Sequence, residues 1–111
     1  MTTSIVQLDA PELADWVAQP GRPQPQLLDV REPWEFELCS IPGSLPMPMG
    51  QVPSLFETLN REQAVVCVCH HGIRSQQVAL FLKAQGFETL FNLRGGIHAW
   101  STKVDANCPT Y

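Results

Sequence analysis

Basic residues are scarce in this sequence, seven Lys and Arg against eleven Asp and Glu, and they are scattered along a chain of net charge −4. A surface that tracks a nucleic-acid backbone needs a clustered excess of Lys and Arg, so no nucleic-acid partner is expected. No apolar run approaches the ~20 residues of a membrane-spanning helix, and no membrane partner is expected either. The stretch from Met1 to Asp9 carries neither a basic head nor an apolar core, so a secretory signal is not expected there. The chain also lacks internal repeats and any linker that would divide it, and a single domain over residues 1–111 is expected, with an irregular, surface-lying tail over about residues 103–111. Cysteines are few, and the paired Cys-x-x-Cys elements of a zinc knuckle are missing. In the reducing cytoplasm that these absences suggest, Cys39, Cys67, Cys69 and Cys108 are all expected as free thiols.

What is present is a globular composition, 44% hydrophobic and 16% charged, in a chain of 111 residues, long enough to bury a core without metal or disulfide staples. Its most informative stretch begins at Val65-Val66-Cys67-Val68, β-branched and apolar, which reads as a short buried strand. Seven residues follow, Cys69-His70-His71-Gly72-Ile73-Arg74-Ser75, and then Val78, Ala79 and Leu82 at helical spacing. A strand that stops, turns through a glycine and restarts as a helix aims the N–H groups of the loop and of the first helical turn at one spot. That spot suits an anion. Cys69 lies at its rim, which points to a thiolate held by backbone dipoles and the helix N-terminus.

The rest of the chain alternates strands and helices. Ile5 to Leu8 and Gln26 to Arg31 read as strands, Asp9-Ala10-Pro11-Glu12 as the capped start of a helix with Leu13, Trp16 and Val17 on one face, and Glu32 to Glu37 as a short helix. Leu45-Pro46-Met47-Pro48-Met49 is too proline-rich for a central strand and suits an edge strand or an extended loop. Val52, Leu55, Phe56 and Leu59 form an i, i+3, i+4, i+7 stripe and predict an amphipathic helix. Glu88 to Leu93 reads as the last strand, and Ile97 to Trp100 as a short helix after the turn Arg94-Gly95-Gly96. Such alternation implies an α/β fold, a mostly parallel sheet with helices on both faces and ligands at the C-terminal ends of the strands, where Asp29 and Cys69 both fall.

In this order, Leu28-Asp29-Val30-Arg31-Glu32-Pro33-Trp34-Glu35-Phe36, Ile41-Pro42-Gly43-Ser44, Cys69 to Ser75, Gly86-Phe87 and Leu93 to Trp100 resemble the single-domain rhodaneses, a sulfurtransferase family, over roughly two-thirds of the chain. The resemblance implies a rhodanese-like three-layer fold with a five-stranded, mostly parallel sheet. It implies that Cys69 is the catalytic nucleophile carrying a persulfide, and that His70, His71, Gly72, Ile73, Arg74 and Ser75 form the substrate-binding cradle. No cofactor and no metal is expected. Four residues separate Cys69 from Arg74, as in sulfur-handling members, where the phosphatase relatives of the fold have five and a wider ring. The implied partners are a small sulfane-sulfur donor such as thiosulfate, and an acceptor that is a small thiol, cyanide, thioredoxin or another protein's thiol. One departure stands out: Cys39-Ser40 replaces the Gly-His that often precedes Ile-Pro-Gly.

Alternatives stay open at several positions. Arg74 either binds an anionic donor or braces the loop by pairing with a carboxylate such as Asp29 or Glu35, because its planar fork serves both roles. Cys67 is expected to be buried and inert, and Cys39 and Cys108 have no evident role. Cys67, Cys69, His70 and His71 are plausible metal ligands by type, but adjacent residues rarely converge on one ion. A non-catalytic binding or sulfur-relay module of the same fold is the other reading. Such a module has less need of the cysteine and its cradle, both of which are present.

Overall fold

Val65–Val68 forms β4, the central strand, buried along its whole length and paired in parallel on both sides. The structure, a computed structural model, describes residues 4–111. Four further strands are β1 (Ile5–Leu8), β2 (Gln26–Asp29), β3 (Leu45–Pro46) and β5 (Leu90–Leu93), and all pair in parallel in the order β1-β5-β4-β2-β3. Helices α1 (Ala10–Val17), α2 (Pro33–Leu38), α3 (Val52–Leu55), α4 (Ile73–Ala84) and α5 (Gly96–Lys103) alternate with them. This is the three-layer α/β arrangement that the resemblance implied.

The pleat of β4 divides the core. Val65 and Cys67, with Cys69 beyond the strand end, pack with Val78, Ala79 and Leu82 of α4 on one face. Val66 and Val68 pack with Leu13 and Trp16 of α1 and with Ile97 and Trp100 of α5 on the other. Each such aliphatic or aromatic side chain removed from water stabilises the fold by about 1.5–3 kcal/mol, which is why a strand covered on both faces reads as an unbroken apolar run. At the head of α1 the Asp9 N–H donates to Glu12 at 2.9 Å, completing a capping box, and α4 stops at Gly86, whose φ of +95° suits glycine.

Three expectations need correction. The Val52 to Leu59 stripe is not one helix but a single α-turn between two 3₁₀ turns, Met49–Gln51 and Phe56–Thr58. The Leu59 N–H bonds back three residues to Phe56, and Leu55 is left exposed. Cys39 and Cys108 are not free thiols: they are joined in a disulfide across 69 residues, so the departure at Cys39 and the tail are one feature. Residues 104–111 are irregular, but Cys108 is buried in the α1/α5 face and Tyr111 reaches back to α2, so the tail does not simply lie on the surface.

Candidate active site

Cys69 follows the last residue of β4, and its backbone is pinned from across the sheet. In the first turn of α5, the N–H groups of Ile97 and His98 donate to the carbonyls of Cys69 and His70 at 2.9 and 3.1 Å. This approach requires Gly96, since a Cβ there would run into both carbonyls. Gly72, with a φ of +102°, caps α4 and turns its N–H onto Cys69 Sγ at 3.1 Å. A side chain at Gly72 would meet the carbonyl of Leu93 at 3.3 Å. Ser75, one turn into α4 and fully buried, places its Oγ 3.2 Å from the same sulfur. The remaining N–H groups of the first α4 turn have no acceptor within the helix, so the sulfur sits before a set of donors. Cys69 itself is only 1% exposed.

Arg74 is committed to a carboxylate. Its guanidinium meets Glu35 through two parallel bonds of 2.8 and 2.9 Å, and Glu35 is also held by the N–H of Glu32 and the phenol of Tyr111. The Arg74 bonds, working against burial, hold the Glu35 carboxyl down at about 2, and Glu35 in turn keeps Arg74 well above its ordinary value. Of the two readings of Arg74, the geometry is that of the brace. Asp29, the other carboxylate in view, is taken by buried Arg31 at 2.7 Å, and Arg31 also donates to the Cys39 carbonyl and to Tyr111. Tyr111 therefore links the two ion pairs.

His70 lies flat between two rings, 3.9 Å from Tyr111 at 8° and 3.9 Å from His71 at 30°. Burial, and then the neighbouring His71, lower its pKa, so it is held neutral. His71 is exposed, and Ile73 stands 71% exposed beside the loop. His70, His71 and His98 bring ring nitrogens within 4.8 Å of one another. Cys67 is buried on the strand, and burial pushes its thiol up to about 12.

The structure thus brings Cys69, Gly72, Ser75 and the first turn of α4 together, turns Arg74 to Glu35, and leaves His71 and Ile73 at the rim. Residues 10–103 match the family model described as the Rhodanese-like domain. The chain belongs to the rhodanese-like domain family. It is 46% identical over 90 residues to the "Rhodanese-like/PpiC domain-containing protein 12, chloroplastic" of Arabidopsis thaliana, which covers 78% of this chain and 30% of that protein. It is 39% identical over 75 residues to a protein of Allochromatium vinosum named "Sulfurtransferase", covering 68% of this chain and 70% of the relative. The chain thus spans under a third of the plant protein and over two-thirds of the bacterial one. Among solved structures, a rhodanese-like domain protein from Staphylococcus aureus superposes with a TM-score of 0.78 at 29% identity, over 86% of this chain and 91% of that one.

Three site residues have no role in the sequence reading. Asn92 donates to the carbonyl of Gly72 and accepts from Ser75, and its signal was a polar residue inside the apolar run Leu90-Phe91-Asn92-Leu93. Gly96 was legible only as part of a tight turn. Tyr111 gave no signal, because no periodicity leads to it.

Proposed function

We propose that this rhodanese-family chain is a sulfurtransferase whose nucleophile is Cys69. Its relatives support rhodanese-type sulfur transfer in general, and the finer mechanism rests on the site. The Cys69 thiolate attacks the outer sulfur of a thiosulfate-like donor, a sulfur–sulfur bond forms, the donor's own sulfur–sulfur bond breaks, and sulfite leaves with the electron pair. The resulting Cys69 persulfide then gives its terminal sulfur to a second nucleophile, a thiol or cyanide, and the thiolate returns. Splitting the transfer into two displacements through a covalent intermediate gives ping-pong kinetics.

The observation that carries this reading is the pair of contacts on one sulfur, the Gly72 N–H at 3.1 Å and Ser75 Oγ at 3.2 Å, at the C-terminal end of the central parallel strand. With Arg74 neutralised by Glu35, main-chain N–H groups are left as the principal attraction for an anionic donor. His70 and Tyr111 wall the cradle.

Intact-protein mass spectrometry before and after thiosulfate tests the proposal. The native chain gains one sulfur atom, cyanide removes it, and Cys69→Ala gains none. A native chain that takes up no sulfur, or a Cys69→Ala variant that takes up as much, overturns it. The 1% exposure of Cys69 favours a second reading, a binding or sulfur-relay module in which only a docked partner opens the sulfur. In that case sulfur is taken up from a persulfidated protein and not from thiosulfate.

A further inference from the structure

Ser75 Oγ lies 3.2 Å from Cys69 Sγ and 2.5 Å from Asn92 Oδ1, and a hydroxyl has one hydrogen to give. An amide oxygen only accepts, so the facing of the Asn92 amide decides where that hydrogen goes. Both hydrogens of Asn92 Nδ2 are already committed, one to the carbonyl of Gly72 at 3.1 Å and the other to Gln7 Oε1 at 2.9 Å. Flipping the amide would set its oxygen against both of those oxygens. The Gly72 carbonyl, a backbone group that cannot turn, fixes the facing of Asn92, and Gln7 Nε2 in turn donates to Gln76 Oε1 at 2.7 Å. The donations therefore run one way, from Ser75 through Asn92 and Gln7 to Gln76 at the edge of the site.

Ser75 and Asn92 are both buried, where an unmade hydrogen bond has no water to replace it. While Cys69 is a thiol, Ser75 gives its hydrogen to Asn92 and offers its lone pair to the sulfur. When Cys69 ionises, the Gly72 N–H remains as a donor, but Ser75 helps only by turning its hydrogen away from Asn92. We propose that Asn92 is a positioning residue for the nucleophile: by claiming the Ser75 hydrogen it withholds one donor from the Cys69 thiolate. An attacking thiol works best when it ionises near the ambient pH, because nucleophilicity falls as the thiolate is stabilised. The consequence for turnover rests on the reading of Cys69 as nucleophile, whereas the effect on its ionisation does not.

The test is a double-mutant cycle on the ionisation midpoint of Cys69. It is measured from the pH dependence of alkylation by iodoacetamide, with the labelled peptide identified by mass spectrometry, and from thiolate absorbance. Asn92→Leu frees the Ser75 hydrogen and is expected to lower the midpoint by about one pH unit, the size of one hydrogen bond to a charged group and about tenfold more thiolate below the midpoint. Ser75→Ala in the native background is expected to move it by less than about half a unit, and in the Asn92→Leu background to raise it by about one. A rise of a unit or more on Ser75→Ala alone overturns the proposal, since Ser75 would then already be donating to the sulfur. So does an Asn92→Leu shift that survives in Ser75→Ala. The Ser75→Ala result decides the matter even if Asn92→Leu fails to fold, and failure of sulfur uptake in the native chain bears on the function and leaves these midpoints untouched.

Discussion

Glu35→Gln removes the charge that braces the far end of the Cys69 loop, and its effect can be worked out from the structure. The carboxylate is 95% buried and accepts four bonds: two from Arg74 at 2.8 and 2.9 Å, one from the Tyr111 phenol at 2.7 Å and one from the Glu32 N–H at 3.0 Å. Together they hold its pKa near 2 where an ordinary glutamate has 4.5. That interval, at about 1.4 kcal/mol per pH unit, corresponds to about 3 kcal/mol. Arg74 is 35% exposed, so water screens its share, and about 2 kcal/mol is the expected loss in Glu35→Gln near pH 7.

The pH dependence carries the sharper test. A carboxyl with a depressed pKa binds fewer protons folded than unfolded, so its contribution is complete above 4.5 and is lost as the pH falls toward 2. Urea unfolding followed by tryptophan fluorescence should show the two proteins differing by about 2 kcal/mol at about pH 7, by nearly as much at about pH 5, and by less than half of that at about pH 3. A difference below about 0.5 kcal/mol at neutral pH, or one of equal size at pH 3, refutes the reasoning, because the stabilisation would then not come from the ionised carboxylate.

Gly96→Ala drives a methyl group into the carbonyls of Cys69 and His70 at a φ of +57°, and since both neighbours are backbone the expected loss is about 3 kcal/mol or more by urea unfolding. A variant within about 1 kcal/mol of the native chain would show that the loop does not depend on this approach. Cys108→Ser opens the Cys39–Cys108 bridge across 69 residues, and the chain-entropy argument gives a loss of about 4 kcal/mol relative to the oxidised protein. The same bridge predicts that unfolded, unreduced protein yields two titratable thiols, Cys67 and Cys69, and a count of four would remove it.

The fold was legible where burial is two-sided and periodic. Val65–Val68 announced itself as a central strand because every residue faces a core, and the Asp9 to Glu12 cap and Gly86 stop follow from local backbone chemistry that no tertiary contact overrides. Legibility failed where local and tertiary terms diverge. The Val52 to Leu59 stripe has a helical period, but a three-residue back-bond at Leu59 ends the ladder that the period assumes. The tail is held by one covalent bond and one phenol, and neither leaves a trace in a hydrophobic pattern. Arg74 could not be matched to its partner from the sequence, since Asp29 and Glu35 are equally good carboxylates. Only the fold shows that Arg31 has already taken Asp29.

Several residues that the site needs are ones a hydrophobic pattern does not mark, and this has one physical cause. Of the six buried polar or charged residues among those described, Asp29, Arg31, Glu35, Ser75 and Asn92 gather around the C-terminal edge of the sheet, and Ser101 lies elsewhere on α5. Burying such groups is costly unless every one finds a partner, so an apolar residue is the cheaper occupant of each position for stability alone. Five of the six are partnered, Asp29 with Arg31, Glu35 with Arg74 and Tyr111, Ser75 with Asn92, Asn92 with Gly72 and Gln7, whereas Ser101 Oγ has no partner. A network satisfied to this degree fixes directions as well as positions, because each hydrogen has one place to go. Fixed hydrogen-bond directions beside one sulfur are what a hydrophobic core cannot supply.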